Sequence, residues 1–435
     1  MVAGCGGSKP GEITVLINRT DLKNTVLKDA KSQFEEKYKD KGWTVNFETI
    51  SDYEGDTTIR MSGRAYGDVL LIPDSVLTTE LEYYFMPLGN VSDMEKDWRF
   101  ISNKAYNGKV YGLPTYGSTS GVLYNKKVFA DAGVTTIPST PEEFLEAMAK
   151  IKAANASNSK FVPYYTNFSA DWPLNQWTEA ISVIAGNANY DTDVYPWDKG
   201  AFDEGGTQYT VYKLLYDLVK GGYTEKDPTT TEWERSKVEL VNGNIGAMVL
   251  GSWAIPQFQQ VATGIIPGEV TDVNASDIVG KVEDIGYMPF PYKATDGKSY
   301  ATLKSDFAIG VASNTKNEEA AKAFLYWFLD DFKYYKVVEG VPGRKSETDL
   351  PEVISAFEDL GVTFIESTEA KIPEARPYAE EESLITLWAE NWKKPFVEEA
   401  IKSNGKSYAS ICADLSKTWK ETVDKVVKKF GNQPA

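Results

Sequence analysis

The stretch Asn242–Trp253, with the sequence NGNIGAMVLGSW, decides how the rest of this chain is interpreted. A polar Asn-Gly pair leads into the apolar run Ile245–Leu250, and Gly251 and Ser252 end that run. An apolar run of this length between turn residues predicts an interior strand. Gly251 allows a sharp turn that presents Trp253 at the strand end, where open α/β sheets bind ligands. Two interpretations of Trp253 stay open from this stretch alone: a ligand-binding tryptophan or an ordinary core residue.

Strands and helices alternate in the first part of the chain. Glu12–Ile17 and Trp43–Ile50 are predicted strands, with a helix at Leu22–Tyr38 between them, and Gly67–Ile72 is a third strand. This alternation predicts a parallel, doubly wound α/β lobe, and a chain of 435 residues is long enough for two or three domains. Asp74 follows the third strand, where it could face a ligand crevice or cap a helix, and these two interpretations do not exclude each other.

The composition excludes several classes of function. The net charge of −17 argues against a nucleic-acid ligand, because proteins that bind the phosphate backbone carry basic patches. The chain has no histidine, which removes the Ser-His-Asp and Cys-His arrangements and the common zinc sites. From the sequence we assign no catalytic residue, no metal and no cofactor. The 25 tyrosines and 11 tryptophans exceed the needs of a core and are typical of binding surfaces. No apolar run is long enough to predict a membrane-spanning helix.

The two cysteines have different sequence surroundings. Cys412 lies on an apolar helical face and is predicted to be a small core residue. Cys5 lies in VAGCGGS, residues 2–8, which resembles a bacterial lipoprotein cleavage box in which the cysteine carries the lipid. The alternative is a free cysteine in a disordered tail. A Cys5–Cys412 disulfide is the less favoured pairing, because the cleavage box already accounts for Cys5.

Four segments carry a family resemblance, and they occur in the family's order and spacing. Together they resemble the family 1 extracellular solute-binding proteins of ABC importers, the maltose-binding-protein-like carbohydrate-binding lipoproteins. The resemblance implies an α/β, two-lobed periplasmic-binding-protein-like fold of type II, whose lobes are joined by a three-segment hinge. The segments are GKVYGLPTYGSTSGVLYNKKVFADAGVTTIPSTPEEF (108–144), NGNIGAMVLGSWA (242–254), DFAIGVASNTKNEEAAKAFLYWFL (306–329) and GVPGRKS (340–346).

The resemblance also implies where the chain passes between the lobes. Each predicted crossing contains Gly, Ser or Pro, which take up hinge torsions easily. The crossings are expected near 116–123, 300–306 and 340–345. The predicted division is a lipoprotein N-terminus and linker at 1–10, a first lobe at 11–117 plus 307–341, and a second lobe at 118–304 plus 343–435.

By the same resemblance, the chain is expected to be the extracellular substrate-binding protein of an ABC sugar importer. It would bind an oligosaccharide in the cleft between the lobes by aromatic stacking and polar hydrogen bonds, and close on the ligand. The expected partners are the oligosaccharide and the membrane permease subunits of the importer, with no nucleic acid. We expect a monomer on the extracellular face of the bacterial cell membrane, attached only through a lipid anchor, as in Gram-positive members.

A sugar site needs flat aromatic rings for the C–H faces of the pyranose and short polar side chains for its hydroxyls. Trp172, in a loop with Asp171 and Pro173, is a candidate from its position. The other candidates are matched to the family or to aromatic loops: Trp253, Asp74, Arg19 or Asp21, Tyr164, Asn167, Ser118, Trp388 or Trp392, Arg344 and Trp197. Ser118 stands where the maltose-binding relative has a glutamate, so maltose itself is not implied.

Two further structural predictions concern these aromatic residues. The segment 187–206 has no periodicity and is predicted to be a long surface loop. Leu384–Phe396 is predicted to be a helix with Trp388 and Trp392 on one face, with at least one of them in the core.

Two other functions remain as alternatives. The same fold could bind a non-sugar or acidic ligand. An acidic ligand requires several cationic side chains, and the only candidates are Arg19, Arg344 and Arg376. A two-carboxylate glycosidase is the remote alternative. Glu380, Glu381 and Glu382 are contiguous, so they do not point together, and the family is not catalytic; we therefore expect no enzyme.

Overall fold

The computed structural model describes residues 10–434, so Cys5 and the predicted lipoprotein cleavage box lie outside the described residues. The chain divides into two compact units. Unit 1 contains the chain up to residue 118 together with 304–351 and 367–369, and unit 2 contains 119–303, 352–366 and 370–435. The chain leaves unit 1 after Ser118 and returns at Lys304, within two of the predicted crossing ranges. It leaves again after Pro351, beyond the range 340–345.

The strands range from two to nine residues in length. In chain order they are β1 Glu12–Ile17, β2 Thr44–Thr49, β3 Val69–Leu71, β4 Gly89–Asn90, β5 Ala105–Tyr106, β6 Lys109–Val110, β7 Leu113–Pro114, β8 Gly117–Asn125, β9 Val162–Tyr164, β10 Ile245–Gly251, β11 Ile285–Met288, β12 Ser299–Ser305, β13 Ala308–Val311 and β14 Val362–Glu366.

The α-helices range from single turns to the long helix near the C-terminus. They are α1 Val26–Lys37, α2 Tyr53–Ser62, α3 Leu81–Tyr84, α4 Val91–Met94, α5 Lys126–Asp131, α6 Pro141–Ala154, α7 Glu179–Ala185, α8 Thr207–Lys220, α9 Trp233–Val241, α10 Ile255–Ala262, α11 Glu318–Tyr326, α12 Tyr334–Val337, α13 Glu352–Asp359, α14 Ala375–Ser383, α15 Lys394–Ile401 and α16 Tyr408–Phe430.

Unit 1 is built on a five-stranded sheet in the order β2-β1-β3-β13-β7. Strand β1 pairs in parallel with β2 and with β3, as the alternation of strands and helices predicted. Strand β13 is antiparallel to β3 and to β7, so the parallel arrangement ends there. Every residue of β3 and of β13 is buried, whereas β1 has two half-buried residues, Glu12 and Thr14. A separate antiparallel sheet contains β4, β6 and β5.

Unit 2 contains a six-stranded sheet in the order β14-β12-β8-β10-β9, with β11 also paired to β8. Strand β10 is antiparallel to β8 and parallel to β9, and every one of its residues is buried. The interior strand predicted from Ile245–Leu250 is therefore confirmed. Because β10 is covered on both faces, only its end can present side chains to a ligand.

The predicted surface loop at 187–206 is wrong. The segment forms a π-helical turn at Tyr190–Val194 and a 3-10 turn at Tyr195–Trp197, and both aromatic residues of the second turn are buried. The ring of Tyr195 stacks on that of Trp419 in α16 at a centroid distance of 4.0 Å. The aromatic residues of this segment therefore belong to the core of unit 2.

The predicted helix at Leu384–Phe396 is also wrong. Helix α14 ends at Ser383, and Leu384 has a left-handed backbone with a φ of 58°, which stops the helix. The chain is irregular until α15 begins at Lys394. Trp388 and Trp392 therefore do not share a helix face.

Other local predictions are confirmed. Thr140 caps α6 by accepting a hydrogen bond from the backbone N–H of Glu143 at 3.2 Å, and Pro141 is the first helical residue. Cys412 is a buried free cysteine in α16, and burial raises the pKa of its thiol to about 11. Within residues 10–434, no helix is both long and apolar enough to cross a membrane.

Candidate functional site

Trp253 lies directly beyond the end of β10, in a 3-10 turn at Ser252–Ala254 that leads into α10. Gly251 has an ordinary extended backbone, with φ −72° and ψ 156°, so the predicted sharp turn at this glycine is wrong. The glycine is needed for space instead. A Cβ built on Gly251 would overlap the indole Nε1 and Cδ1 of Trp253. The missing side chain at Gly251 therefore lets the Trp253 ring fold back over the strand end.

Three tryptophans meet at this end of β10, and we call Trp172, Trp233 and Trp253 the indole cluster. The ring centroids of Trp172 and Trp233 are 5.0 Å apart in an edge-to-face arrangement. Trp253 lies 5.7 Å from Trp172 and 6.1 Å from Trp233. All three side chains are half-buried, so each ring keeps part of its surface accessible. Mutual contact fixes the rings, and rigid, partly exposed aromatic rings are suited to stacking on a ligand.

The turn that carries Trp253 is fixed by hydrogen bonds on both sides of the sheet. The backbone N–H of Gly251 donates to Gln176 Oε1 at 3.0 Å. The hydroxyl of Ser252 accepts from the backbone N–H of Thr119 at 3.1 Å. The hydroxyl of Tyr287 contacts the carbonyl oxygens of Leu250 and Thr119 at 2.8 and 2.9 Å. The strand end is therefore preorganised, which lowers the entropy lost when a ligand binds.

Two polar residues lie in the loop that carries Trp172. Asn167 is only 1% exposed, and its Oδ1 accepts no hydrogen bond from residues 10–434. Its Nδ2 contacts the sulfur of Met248, a core residue beneath the indole cluster, at 3.5 Å. Asp171 is exposed and forms an ion pair with Lys394 at 2.7 Å. A buried acceptor without a donor is costly, and a ligand hydroxyl would satisfy it.

Unit 1 brings several charged side chains together, and we call Arg19, Asp74, Lys104, Tyr116 and Asp306 the polar cluster. The Tyr116 hydroxyl donates to Asp306 Oδ2 at 2.6 Å, and Lys104 Nζ lies 3.8 Å from Asp74 Oδ1. The pKa of Asp306 is raised to about 6, mainly by burial and also by the charge of Asp74, whereas the Tyr116 hydroxyl and Arg19 oppose the rise. Asp74 is exposed, and the helical turn after it is capped at Leu77. Asp74 is therefore not a helix cap, and its carboxylate faces solvent.

Lys104, Asp306 and Trp233 were not predicted as site residues. Lys104 and Asp306 belong to segments that meet Asp74 only through the tertiary fold, so no local pattern marks them. Trp233 is the first residue of α9, and its position near a helix start was the sole local signal. A search for tryptophans flanked by polar residues would have found Trp233, between Glu232 and Glu234.

Three predicted site residues lie in the core of unit 2: Tyr164, Trp197 and Trp392. The Tyr164 hydroxyl accepts from the backbone N–H of Val249, and its ring packs against Trp177. The indole N–H groups of Trp197 and Trp392 donate to backbone carbonyl oxygens at 3.0 and 2.7 Å. All three have their polar atoms satisfied inside the unit, so we leave them out of the candidate site.

The predicted cation Arg344 is engaged within unit 1. Its guanidinium forms two hydrogen bonds with Asp330 at 2.8 and 2.7 Å and lies 3.9 Å from the ring centroid of Trp98. Arg376, the other arginine considered for an acidic ligand, pairs with Asp191 at 2.9 Å. The bidentate pairing of Arg344 fixes its guanidinium, and each of the two arginines has its charge neutralised by a carboxylate. The structure thus weakens the acidic-ligand alternative.

The remaining predicted residues have varied positions. Ser118 is half-buried in β8 and is the last residue of the first segment of unit 1. Trp388 is half-buried against the core of unit 2, and its carbonyl oxygen accepts from Asn175 Nδ2 at 2.8 Å. Asp21 lies in a 3-10 turn at Thr20–Leu22, and its side chain is outside the described part of the chain.

Comparison with known proteins identifies the family of this chain. The sequence profile of bacterial extracellular solute-binding proteins matches residues 18–331. The chain belongs to this family, and its two mixed α/β units agree with the two-lobed fold of type II.

Particular relatives share the fold over nearly the whole chain. A structure of BlMnBP1, an ABC-transporter binding protein from Bifidobacterium animalis subsp. lactis in complex with mannobiose, has a TM-score of 0.84 and 32% sequence identity. The match covers 96% of this chain and 95% of that one. BlMnBP2 from the same organism, a manno-oligosaccharide-specific solute-binding protein in complex with mannotriose, has a TM-score of 0.83 and 31% identity, with the same coverage.

Curated relatives are more distant. The multiple sugar-binding protein of Streptococcus mutans is 25% identical over 270 residues, which are 58% of this chain and 57% of that protein. The diacetylchitobiose binding protein DasA of Streptomyces coelicolor is 24% identical over 254 residues, or 56% of this chain and 52% of DasA. The chain thus spans little more than half the length of these curated relatives.

Proposed function

We propose that this protein is the substrate-binding protein of an ABC sugar importer and that it binds an oligosaccharide. The indole cluster is the observation that carries this proposal. Three half-buried tryptophans in mutual contact at a strand end form an aromatic surface that a core does not need. The C–H faces of pyranose rings are apolar and flat enough to stack on such a surface.

Polar side chains are available to bind the hydroxyl groups of the sugar. Asn167 Oδ1 and the carboxylate of Asp171 are acceptors in the loop that carries Trp172, and Asp74 offers an exposed carboxylate in unit 1. A carboxylate accepts from two neighbouring hydroxyls at once, which fixes the orientation of the sugar.

Manno-oligosaccharides are the proposed ligand class. The two Bifidobacterium proteins, at 32% and 31% identity over nearly the full chain, were solved with mannobiose and mannotriose. The relatives at lower identity are described as binding multiple sugars or diacetylchitobiose, so these sugars form the comparison set. More than one half-buried tryptophan supports a ligand of more than one sugar unit.

The family supports a role in transport without catalysis. We propose that the ligand is delivered to membrane permease subunits at the extracellular face of a bacterial membrane, and that the chain has no enzymatic activity. Lipidation at Cys5 remains a prediction from the sequence. A mass shift of the size of a diacylglycerol on the native protein would support it, and an unmodified Cys5 in membrane fractions would contradict it.

Calorimetric titration tests the ligand class. We expect mannobiose or mannotriose to bind and Trp253→Ala to weaken binding at least about tenfold, about 1.4 kcal/mol, because stacking is lost. Trp43→Ala is the matched control, since Trp43 is a half-buried tryptophan of unit 1 that packs on Tyr38. If no oligosaccharide bound while another ligand class did, the proposed function would be wrong.

A further inference from the structure

The loop Thr166–Trp172 has an unusual backbone at two residues that are not glycine. Asn167 is left-handed, with φ 53° and ψ 31°, and Asp171 has φ 61° and ψ −64°. Such conformations cost free energy and persist only where the surrounding structure fixes them. The same loop carries Asn167, Asp171 and Trp172. Whatever fixes this backbone therefore also fixes one edge of the indole cluster.

The carboxylate of Glu225 holds the start of this loop. The backbone N–H of Thr166 lies 3.3 and 3.2 Å from its two oxygens, and the Thr166 hydroxyl donates to Oε1. The same hydroxyl oxygen accepts from the backbone N–H of Phe168 at 3.2 Å. Glu225 thus fixes the residues on both sides of Asn167, directly through Thr166 and indirectly at Phe168.

The segment that follows Glu225 contacts the same loop again. Thr231 Oγ1 accepts from the backbone N–H of Ser169 at 2.8 Å. The Tyr165 hydroxyl accepts from the backbone N–H of Glu232, immediately before Trp233. The segment 225–232 therefore connects the loop of Trp172 to the helix that begins with Trp233, so it sets the spacing of these two indoles.

A contribution to stability alone does not explain why residue 225 is a glutamate. No cation pairs with it within residues 10–434, and burial raises the pKa of its carboxyl. Glu225 is half-buried, and removing even part of an unpaired carboxylate from water costs free energy that an uncharged side chain would avoid. The titratable groups facing it are Tyr164 and Tyr165; burial raises the pKa of both, that of Tyr165 to about 12, so both are neutral near pH 7. A half-buried carboxylate that no cation pairs with, beside the indole cluster, is a candidate for a role in the nearby site.

We propose that Glu225 is a positioning residue for ligand binding. Through Thr166 it holds the loop Asn167–Trp172 in the conformation that places Trp172 against Trp233 and Trp253. Glu225 itself does not touch the ligand. The inference rests on the proposed function for its effect on affinity, but its effect on the indole cluster concerns the ligand-free protein.

The first test compares Glu225→Gln with Glu269→Gln by titration with mannotriose. Glutamine has the same size but only one acceptor oxygen, so it cannot hold Thr166 in the same way. We expect the Kd to rise about tenfold in Glu225→Gln and to stay within about twofold of wild type in Glu269→Gln, because Glu269 is exposed. Unchanged affinity in Glu225→Gln would overturn the proposal.

A double-mutant cycle separates positioning from general destabilisation. If Glu225 acts through Trp172, Glu225→Gln should weaken binding far less in a Trp172→Ala background than in wild type. A purely structural role predicts the same fold-change in both backgrounds, which would contradict the proposal.

The variants Thr166→Val and Thr166→Ser provide a second comparison. Valine removes the hydroxyl and should weaken binding, whereas serine retains the hydroxyl and should bind as wild type. This pair keeps the test valid if Glu225→Gln does not fold.

The ligand-free protein provides a readout that does not need a sugar. Near-ultraviolet circular dichroism reports the coupling of neighbouring indoles, so Glu225→Gln and Thr166→Val should change the tryptophan bands, and Thr166→Ser should not. If wild type bound no oligosaccharide but these bands changed as expected, the proposed function would fail and the positioning role would stand. Unchanged bands in both variants would overturn the positioning role.

Discussion

At the scale of single residues, Gly251 is the position where the sequence misleads and the geometry corrects it. A glycine after an apolar strand suggests a turn, yet its backbone is one that any residue adopts. The requirement for glycine comes from Trp253, which occupies the space a Cβ would take. The sequence shows where a glycine lies, but it does not show whether the glycine is needed for its backbone conformation or for the space of a neighbouring side chain.

Gly251→Ala should therefore impair the ligand site without unfolding the protein. The added methyl group overlaps the Trp253 indole, and the ring has to rotate because the backbone of β10 is held on both sides. We expect mannotriose affinity to fall about tenfold or more, with an effect on stability of about 1–3 kcal/mol. Calorimetry measures the first and urea unfolding the second.

Gly268→Ala is the matched control for that substitution. No atom lies within contact distance of a Cβ at Gly268, so this variant should bind as wild type. Equal affinities for Gly251→Ala and Gly268→Ala would mean that Trp253 does not contact the ligand in the orientation seen here.

Lys393 gives a residue-scale prediction about pH. It is fully buried, and its Nζ donates to Asn175 Oδ1, Thr178 Oγ1 and the carbonyl oxygen of Leu387. Burial lowers its pKa to about 7, while Glu390 and Glu380 oppose the change. Between about pH 7 and the ordinary lysine pKa near 10.4, the unfolded chain binds more protons at this residue than the folded protein. The contribution of Lys393 to stability therefore increases as the pH rises through this window.

Urea unfolding of wild type and Lys393→Met at about pH 6.5, 7.5 and 9 isolates this effect. As the pH rises, the free energy of unfolding should increase more for wild type than for the variant. Lys226→Met, at an exposed lysine, should show no such trend. A difference between wild type and Lys393→Met that is constant with pH would show that Lys393 stays charged throughout.

At the scale of elements, the apolar patterns of the strands were a reliable guide, whereas the aromatic segments 187–206 and 384–396 were not. Strand β1 has the predicted bounds, and β10 differs by a single residue, because alternating or continuous apolar runs determine which faces are buried. The segment 187–206 failed because its tyrosines and tryptophans pack on α16, a partner that no local pattern reveals. The same limit applies to the candidate site, because Trp172 and Trp253 were predicted as site residues from the sequence and Trp233 was not.

The end of helix α14 provides an element-scale prediction. Leu384 is 75% exposed and left-handed, a conformation that glycine adopts without strain and that normally marks a helix end. Leu384→Gly should stabilise the protein by roughly 0.5–1 kcal/mol, since relief of backbone strain exceeds the entropy that glycine adds to the unfolded chain. Leu384→Ala retains the strain and should be close to wild type. Urea unfolding that ranks Leu384→Gly at or below Leu384→Ala would contradict this explanation.

At the scale of the whole molecule, the charge balance favours an uncharged ligand. The chain carries a net charge of −17, so its average field repels anions before they reach any site. Arg344 and Arg376 are paired with carboxylates inside their own units. Stacking on aromatic rings and hydrogen bonding to sugar hydroxyls need no charge on the ligand. A neutral oligosaccharide therefore fits this molecule better than a uronic acid or a phosphorylated sugar.

The salt dependence of binding tests that conclusion directly. Binding of a neutral manno-oligosaccharide should keep the same Kd within about twofold between about 50 mM and about 500 mM NaCl, since no ligand charge is screened. An acidic oligosaccharide held by an arginine would lose affinity over the same range. Asp74→Asn should weaken mannotriose binding by about tenfold at both salt concentrations, because a charged hydrogen-bond acceptor is lost. A steep fall in wild-type affinity with salt would reject a neutral ligand and return attention to Arg19 and Lys104 in the polar cluster.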